Sequence, residues 1–270
     1  MRCEQSQQPY KILITGASSG IGAVTAEYLA TKGFTVILVA RRKEKLVELV
    51  DRITANGGKA HFIETDLTDE SQRLVLFTTL QEQNLMPEVL INNAGFGWYG
   101  HYETMNWNTA RDLIRVNIEA VAHLTHLFLP SMLAGGHGHI INIGSVAGKL
   151  PEQGIALYSS SKAFLDAFTS CIYRELRGTC VTTSVVRLGP IKTEFFDAAR
   201  KHENGGNVPA EKLAIPAWRV ARGIDRLIHH PRKVMYIPWY LVVSPLLELL
   251  FSGIIDLVGP LLLGKKQKSR

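Results

Sequence analysis

Residues 10–40 read YKILITGASSGIGAVTAEYLATKGFTVILVA, and this segment sets the architecture of the chain. A short apolar run over 10–15 passes through glycines into a helical pattern over 21–32, and a second apolar run follows over 34–39. Continuous apolar strands that alternate with helices are typical of a parallel sheet covered on both faces. Right-handed crossovers between such strands give a doubly wound α/β fold. We therefore predict a Rossmann-type fold.

The same alternation continues along the chain and predicts about seven strands in total. Further strands are predicted at 59–64, 89–92, 139–144, 181–188 and 233–237, and helices near 43–55, 69–84, 107–133, 155–177 and 217–229. No Pro- or Ser-rich linker divides this part of the chain, so one domain is the simpler interpretation. We divide the sequence into a flexible arm (1–9), a Rossmann-type catalytic domain (10–237) and an apolar C-terminal segment with a basic tail (238–270).

Composition and charge exclude several classes of protein. The chain has 270 residues, 46% of them hydrophobic and 20% charged, which excludes a disordered chain. The net charge is +6, but four of the cations lie in the last six residues, so no nucleic-acid-binding surface is expected. The three cysteines lack CxxC spacing, which argues against a cysteine-based zinc site and makes a reducing compartment the default expectation. No metal site is predicted.

The turn TGASSGIG, residues 15–22, joins the first predicted strand to the first helix. Its glycines allow close approach of the backbone to a pyrophosphate, and the helix N-terminus offers unpaired N–H groups and a positive dipole end. The GxxxGxG spacing differs from the GxGxxG of other dinucleotide folds, but the strand-then-helix context is the required one. Taken alone, such a turn is also compatible with a plain connection.

Two arginines, Arg41 and Arg42, follow the second predicted strand. Cofactors that lack a ribose 2′-phosphate usually meet a carboxylate about 20 residues beyond the glycines, and none is present here. A guanidinium instead suits a phosphate dianion. The sequence therefore predicts NADP(H) rather than NAD(H); the alternative is that both arginines are solvated surface residues.

A candidate catalytic set lies in the middle of the chain. Tyr158 and Lys162 are four residues apart in a predicted helix and share a face. An ammonium near a phenol is expected to lower the pKa of the tyrosine, which suits acid–base work near neutral pH. Ser145 lies at the C-terminal end of a predicted strand, where sites of open α/β sheets are found.

Together these motifs resemble the short-chain dehydrogenase/reductase family, over about residues 10–237. The residues that carry the resemblance are TGASSGIG (15–22), Asp66-Leu67, NNAG (92–95), Asn117, Ser145, YSSSK (158–162) and LGPIKT (188–193). One departure is Leu188, where the family usually has proline, but it leaves Thr193 in register.

The resemblance implies a role for each matching residue. Tyr158 would be the general acid/base, Lys162 would hold the nicotinamide ribose, Ser145 would polarise the substrate carbonyl, and Asn117 would hold a water of a proton relay. The cofactor-binding residues would be Gly16, Ser18, Ser19, Gly20, Ile21, Gly22, Arg41, Arg42, Asp66, Leu67, Asn93, Ala94, Gly95, Tyr158, Lys162, Gly189, Ile191 and Thr193. The candidate substrate pocket comprises Ser145, Phe96, Leu157, Phe195 and Phe196, although the last two fit the core of a short lid helix as well.

The C-terminal segment differs in kind from the rest of the chain. Residues 234–263 are almost wholly apolar but contain Glu248 and Asp256, and their longest uncharged run, 234–247, has 14 residues. A spanning helix needs about 20 residues, and carboxylates oppose burial in lipid. We predict two short helices in a membrane interface, with the basic tail on anionic lipid. The alternatives are packing on the body or in a dimer interface, and a true span.

The sequence thus predicts an oxidoreductase that transfers a hydride between NADP(H) and a lipophilic ketone, aldehyde or secondary alcohol. The C-terminal segment resembles that of membrane-associated family members. One alternative is a 3-oxoacyl thioester reductase of lipid metabolism, and another is a non-catalytic NADP(H)-binding regulator. By resemblance a homodimer is expected, held peripherally at the cytoplasmic face of a membrane or else soluble in the cytoplasm.

Overall fold

The computed structural model describes residues 10–201, 205–206 and 209–262. The predicted arm (1–9) and the basic tail lie outside these residues. The strands are β1 (Lys11–Thr15), β2 (Thr35–Ala40), β3 (Lys59–Glu64), β4 (Val89–Asn92), β5 (Gly138–Ser145), β6 (Val181–Leu188), β7 (Ile191–Lys192), β8 (Ile215–Pro216) and β9 (Val234–Ile237). The helices are α1 (Gly20–Thr31), α2 (Lys43–Ala55), α3 (Glu70–Glu82), α4 (Trp107–Ile114), α5 (Ala120–Ala134), α6 (Ala156–Glu175), α7 (Phe195–Lys201), α8 (Trp218–His229) and α9 (Ser244–Leu262).

The main sheet has seven parallel strands in the order β3-β2-β1-β4-β5-β6-β9, which confirms the predicted doubly wound fold. The chain first moves outward from β1 to β3 and then returns to place β4 on the other side of β1. This reversal opens a crevice at the carboxyl ends of β1 and β4, which is where ligands bind in open α/β sheets. The short strands β7 and β8 pair separately.

Alternate residues of the central strands pack into two different hydrophobic cores, one on each face of the sheet. Ile12 and Ile14 pack in the core on one face of the sheet, with residues of α1, α2 and α8. Leu13 packs on the other face with residues of α3 and α5. Because both faces of the sheet are covered, the strands need apolar residues at nearly every position, which explains their continuous apolar runs.

The structure differs from the sequence prediction in two helical regions. The long helix predicted near 107–133 is divided by a π-helical turn, Arg115–Glu119, between α4 and α5. The C-terminal segment forms a short 3-10 turn, Trp239–Val243, and one long helix, α9, instead of two short helices. Pro245 does not break α9 because it lies in the first turn, where a proline removes no helical hydrogen bond.

Candidate active site

A cavity of about 1100 Å³ lies at the carboxyl edge of the sheet. The residues that line it come from the loops after β1, β2, β3, β4, β5 and β6 and from α6 and α7. All of the predicted site residues line this cavity except Gly22, Asn117 and Leu157. The fold therefore brings together residues that are spread over most of the sequence.

The glycine-rich turn after β1 forms one end of the cavity. Gly16 has a φ of +65°, and a Cβ placed on it would lie 2.8 Å from the Cα of Ala94. Gly22 supports the turn from behind, since a Cβ there would lie 2.7 Å from Nδ2 of Asn93. That same amide donates to the carbonyl of Thr15 at 2.8 Å and so fixes the turn to β4. Close backbone packing at a helix N-terminus fits the pyrophosphate of a dinucleotide.

Arg42 and Arg41 lie beside the glycine-rich turn, on the loop between β2 and α2. Nε of Arg42 donates to Oγ of Ser18 at 3.1 Å, and Nη2 donates to Oγ of Ser19 at 2.6 Å. Nη1 of Arg41 lies 3.9 Å from Oδ2 of Asp66. Hydroxyls and guanidinium groups converge here, which is the donor set that suits a ribose 2′-phosphate.

Tyr158 and Ser145 lie at the opposite end of the cavity, which is the candidate catalytic end. Burial raises the pKa of Tyr158 to about 12, and the neighbouring hydroxyl of Ser145 opposes this only in part. The phenol is therefore protonated at neutral pH, in the form that gives a proton to a carbonyl oxygen. The prediction that the ammonium of Lys162 lowers this pKa is wrong for the present arrangement.

The position of Lys162 explains the difference. Its Nζ donates to the carbonyl of Ile143 at 2.9 Å and lies over the ring of Tyr158, 5.6 Å from the centroid, so burial of the phenol dominates. Burial lowers the pKa of Lys162 to about 8, and the nearby carboxylate of Asp166 opposes this shift. The ammonium points at the cavity from the same helix face as the phenol, as the four-residue spacing predicts.

Asn117 lies at the centre of the π-helical turn and is fully buried. Its Nδ2 donates to the carbonyl of Phe96 at 3.0 Å and to Oγ of Ser161 at 3.1 Å, while Oδ1 accepts from the amide of Phe96 at 3.1 Å. A π turn inserts an extra residue into a helix and is frequent at functional sites. Through these hydrogen bonds, Asn117 connects the loop after β4 to α6. Its predicted part in a proton relay stays a prediction.

Aromatic side chains cover the candidate catalytic end. The ring of Phe195, at the start of α7, packs on that of Tyr158 with centroids 5.6 Å apart. Phe196 makes an edge contact with Phe195 at 5.8 Å, and both line the cavity together with Phe96. Trp98 and Tyr99 also line it. The lining is aromatic enough to suit a bulky or apolar substrate.

Leu157 does not belong to this pocket, contrary to the prediction. It lines a separate small cleft with Met105 and Leu113. Consecutive residues of a helix project about 100° apart, so the residue before Tyr158 points away when the phenol faces the cavity.

Two charged residues near the site were not predicted from the sequence. Asp166 is buried one turn after Lys162 on α6 and accepts a hydrogen bond from Nε of Arg187 at 2.8 Å. Its spacing from Lys162 was a usable signal, since residues four apart share a helix face. Glu194 lines the cavity and pairs with residues of the loop after β2 and of α2, for which no local sequence pattern gives a signal.

Residues 10–204 match the family model described as short chain dehydrogenase. The chain therefore belongs to the short-chain dehydrogenase/reductase family of oxidoreductases. It is 38% identical over 175 residues to "Ketoacyl reductase HetN" of Nostoc sp., a match that covers 65% of this chain and 61% of that protein. The match thus spans less than two thirds of that relative. The chain is also 35% identical to "Sulfoacetaldehyde reductase 2" of Chromohalobacter salexigens, over 68% of this chain and 73% of the relative.

Solved structures of similar fold include a short-chain dehydrogenase from Sphingobium yanoikuyae in complex with NADPH. Its TM-score is 0.78 at 26% identity, and the match covers 97% of this chain and 98% of that one. A family member from Burkholderia phymatum in complex with NAD has a TM-score of 0.83, also at 26% identity, over 94% of this chain and 96% of its own. Several other solved structures of similar fold contain NADP or NADPH, which supports binding of NADP(H) to this chain.

Proposed function

We propose that this protein is an NADP(H)-dependent oxidoreductase that transfers a hydride between the cofactor and a lipophilic ketone, aldehyde or secondary alcohol. The observation that carries the proposal is the convergence of Ser145, Tyr158 and Lys162 in one cavity with the glycine-rich turn and Arg42. When bound, the nicotinamide would supply or accept the hydride.

The residues of this chain would handle the proton and the oxygen of the substrate. In the reducing direction, the protonated phenol of Tyr158 would donate to the carbonyl oxygen as negative charge develops on it. The hydroxyl of Ser145 would hold the same oxygen, and two donors aimed at one developing charge stabilise the transition state. The aromatic cover from Phe195 would exclude water from the reacting atoms.

The choice of NADP(H) is supported by the adenosine end of the cavity. Arg42 is already oriented by Ser18 and Ser19, and no carboxylate follows β2 where an NAD-type site usually has one. The NADPH complex of the Sphingobium relative agrees with this assignment. Arg41 would add a second cation to the phosphate site.

A substrate panel tests the reaction class and the cofactor together. NADPH oxidation by the purified chain, in detergent, is measured with ketones, aldehydes and 3-oxoacyl thioesters of increasing chain length. We expect turnover that rises with chain length for ketones, and a kcat/KM for NADPH at least about tenfold that for NADH because Arg42 pairs with the phosphate. A preference for NADH would overturn the cofactor assignment.

The same substrate panel distinguishes two other functions from the proposed one. A 3-oxoacyl thioester reductase is favoured by the similarity to "Ketoacyl reductase HetN", and thioesters would then be the best substrates. A non-catalytic NADP(H)-binding regulator would bind NADPH without turning over any compound of the panel. Against that second function, a binder needs only the glycine-rich turn and the arginines, whereas Ser145, Tyr158 and Lys162 are all in place.

We also propose a homodimer, as the family resemblance implies. Phe164 and Phe168 stack on α6 with ring centroids 5.4 Å apart and are only partly buried within the chain. Such an apolar helix face suits a second copy of the same helix.

We further propose that α9 and the turn before it lie in a membrane interface at the cytoplasmic face. The segment Trp239–Leu257 has a mean hydropathy of 1.7 and is long and apolar enough to cross a membrane, judged by length and composition only. Just 6% of it is buried, and Trp239, Leu249 and Leu257 are each more than three-quarters exposed. Glu248 and Asp256 favour an interfacial position over a span.

The contacts of this segment place it beside the cavity. A Cβ on Gly189, which lines the cavity, would lie 2.6 Å from Cδ1 of Leu241 in the turn before α9. A membrane at α9 would therefore lie close to the substrate site, which suits a lipophilic substrate. The cations of 265–270 would add attraction to anionic lipid.

Charged substitutions on α9 test membrane binding. The double variant Leu249→Glu with Leu257→Glu is expected to reduce flotation with phosphatidylglycerol-containing vesicles by at least about tenfold, because two exposed apolar side chains can no longer enter the interface. Val75→Glu, at an apolar residue of α3 that is 60% exposed, is the control for an added charge outside α9 and should float like the unmodified chain.

Other results of the flotation experiment have definite meanings. Full-length protein that stays in the aqueous phase contradicts the membrane proposal. If in that case the double variant also changes the sedimentation coefficient, α9 is a subunit interface. Protection of the C-terminus from protease added outside sealed vesicles would instead indicate a span.

A further inference from the structure

Glu194 directly precedes α7 and pairs with Arg42 and Lys45, two cations near the glycine-rich turn. Its Oε2 accepts from Nη1 of Arg42 at 3.2 Å, and its Oε1 accepts from Nζ of Lys45 at 3.2 Å. Hydrogen bonds from Lys45 and Arg42 hold the pKa of Glu194 below its usual value, so the side chain is an anion at neutral pH. The carboxylate of Glu194 is thus paired with Arg42 and Lys45, the two cations that face the proposed phosphate site.

The three N–H-bearing nitrogens of the Arg42 guanidinium have different partners. Nε and Nη2 are held by the hydroxyls of Ser18 and Ser19, which are neutral, and Nη1 alone is paired with a carboxylate. The two serine contacts hold the guanidinium over the glycine-rich turn. Glu194 adds a negative charge to a guanidinium that already has two neutral partners.

The pair is placed so that a ligand can displace the carboxylate. The side chains of Arg42, Lys45 and Glu194 are 45%, 43% and 53% exposed. Ion pairs with this exposure contribute little net stability to the fold. A phosphate dianion carries more charge than a carboxylate and offers three acceptor oxygens to the same donors. It would replace Glu194 on both Arg42 and Lys45.

We propose that Glu194 is a specificity-determining residue, an internal anion that competes with the 2′-phosphate of the cofactor for Arg42 and Lys45. The inference rests on the proposed use of NADP(H) and adds Lys45 as a further phosphate ligand. When a cofactor without the 2′-phosphate binds, Glu194 stays paired with Arg42 and Lys45. The carboxylate therefore lowers the affinity of the protein for NADP(H). As a result, the ratio of its affinities for NADP(H) and NAD(H) is smaller.

Replacement of the Glu194 carboxylate by the 2′-phosphate would also affect the surroundings of Tyr158. Glu194 directly precedes Phe195, whose ring packs on Tyr158 at 5.6 Å and lies close enough to Gly97 that a Cβ there would be 2.7 Å away. Release of Glu194 frees the first turn of α7 at its N-terminal side. Binding of a 2′-phosphate is thereby coupled to the aromatic cover over Tyr158.

Binding of two nucleotide fragments tests the competition without any turnover. Adenosine 2′,5′-bisphosphate and adenosine 5′-monophosphate, which lacks the 2′-phosphate, are titrated calorimetrically into the full-length protein and into Glu194→Gln. Removal of one negative charge close to the phosphate is expected to tighten bisphosphate binding about three- to tenfold, less at high salt. Binding of the monophosphate should change by less than about twofold, because nothing in that ligand competes with Glu194.

Glu44→Gln is the matched control, since Glu44 is an exposed carboxylate of the first turn of α2 and has the same charge. An equal gain in this variant would show a general charge effect and overturn the proposal. Unchanged or weaker bisphosphate binding in Glu194→Gln would also overturn it, because Glu194 would then orient Arg42. If the unmodified chain binds both fragments equally, the proposed use of NADP(H) fails instead.

Amide hydrogen exchange over residues 195–201 tests the coupling to α7. The bisphosphate should speed exchange in the unmodified chain but change little in Glu194→Gln, where exchange is already fast without ligand. The monophosphate should leave exchange unchanged in both proteins. Equal exchange with and without bisphosphate in the unmodified chain would overturn the coupling.

Discussion

Tyr158→Phe is expected to lower kcat by roughly 100- to 10,000-fold, the range that a positioned general acid contributes. The substitution removes the phenol hydroxyl, which lies beside Ser145 and is protonated at neutral pH. The ring remains, so its contact with Phe195 and the position of Lys162 over its face are kept. Binding of NADPH, measured by fluorescence titration, should therefore stay within about threefold, since the substitution removes no phosphate contact.

The control for this experiment is Tyr102→Phe. Tyr102 is 53% exposed, and the substitution removes the same hydroxyl without touching the large cavity. Its kcat should equal that of the unmodified chain. Near-normal turnover by purified Tyr158→Phe would refute the catalytic assignment, whereas a parallel loss of NADPH binding would mean that the phenol serves the cofactor rather than the proton transfer.

Asp166→Asn is expected to lower the free energy of unfolding by about 3 kcal/mol, since removal of one partner from a buried ion pair leaves the other uncompensated. The side chain of Asp166 is 1% exposed and that of Arg187 is 11% exposed, and Nε of Arg187 donates to Oδ1 of Asp166 at 2.8 Å. Arg187 also donates to the hydroxyl of Tyr236, and Lys149 lies 3.7 Å from the second carboxylate oxygen. The carboxylate thus connects α6 to β6 and to the segment that follows Ser145.

Urea unfolding followed by circular dichroism measures this loss. Asp112→Asn, which breaks an exposed pair with Arg115 at 3.9 Å, should cost at most about 0.5 kcal/mol. In the double variant Asp166→Asn with Arg187→Met, much of the loss should be recovered, because no buried charge is left without a partner. A loss below about 1 kcal/mol in Asp166→Asn alone would contradict the structural role of the pair.

Much of the fold and part of the site could be predicted because their determinants are local. Apolar runs predict buried strands, glycines between a strand and a helix predict a phosphate-binding turn, and the spacing of Tyr158 and Lys162 predicts a common face. The sheet order and the cavity confirm that these residues meet at one edge. Leu157 was assigned wrongly because adjacency in sequence does not give adjacency on a helix surface.

The pKa of Tyr158 could not be derived from spacing, because it depends on how far the phenol is buried and on where the ammonium of Lys162 points. The π turn at Asn117 was equally hidden, since the residues around it are compatible with an ordinary helix. Its position follows from the hydrogen bonds that Asn117 makes with Phe96 and Ser161. Each of these features depends on packing between elements and not on the pattern within one.

The amino-acid sequence was sufficient for the doubly wound sheet and the glycine-rich turn, because each depends on residues a few positions apart. Tertiary structure alone decided which charges meet. Glu194 pairs with Arg42 across 152 positions of the chain, and Asp166 pairs with Arg187 across 21. The physical reason is that Coulomb and hydrogen-bond energies depend on distance in space, which packing of the whole domain sets and no short motif records.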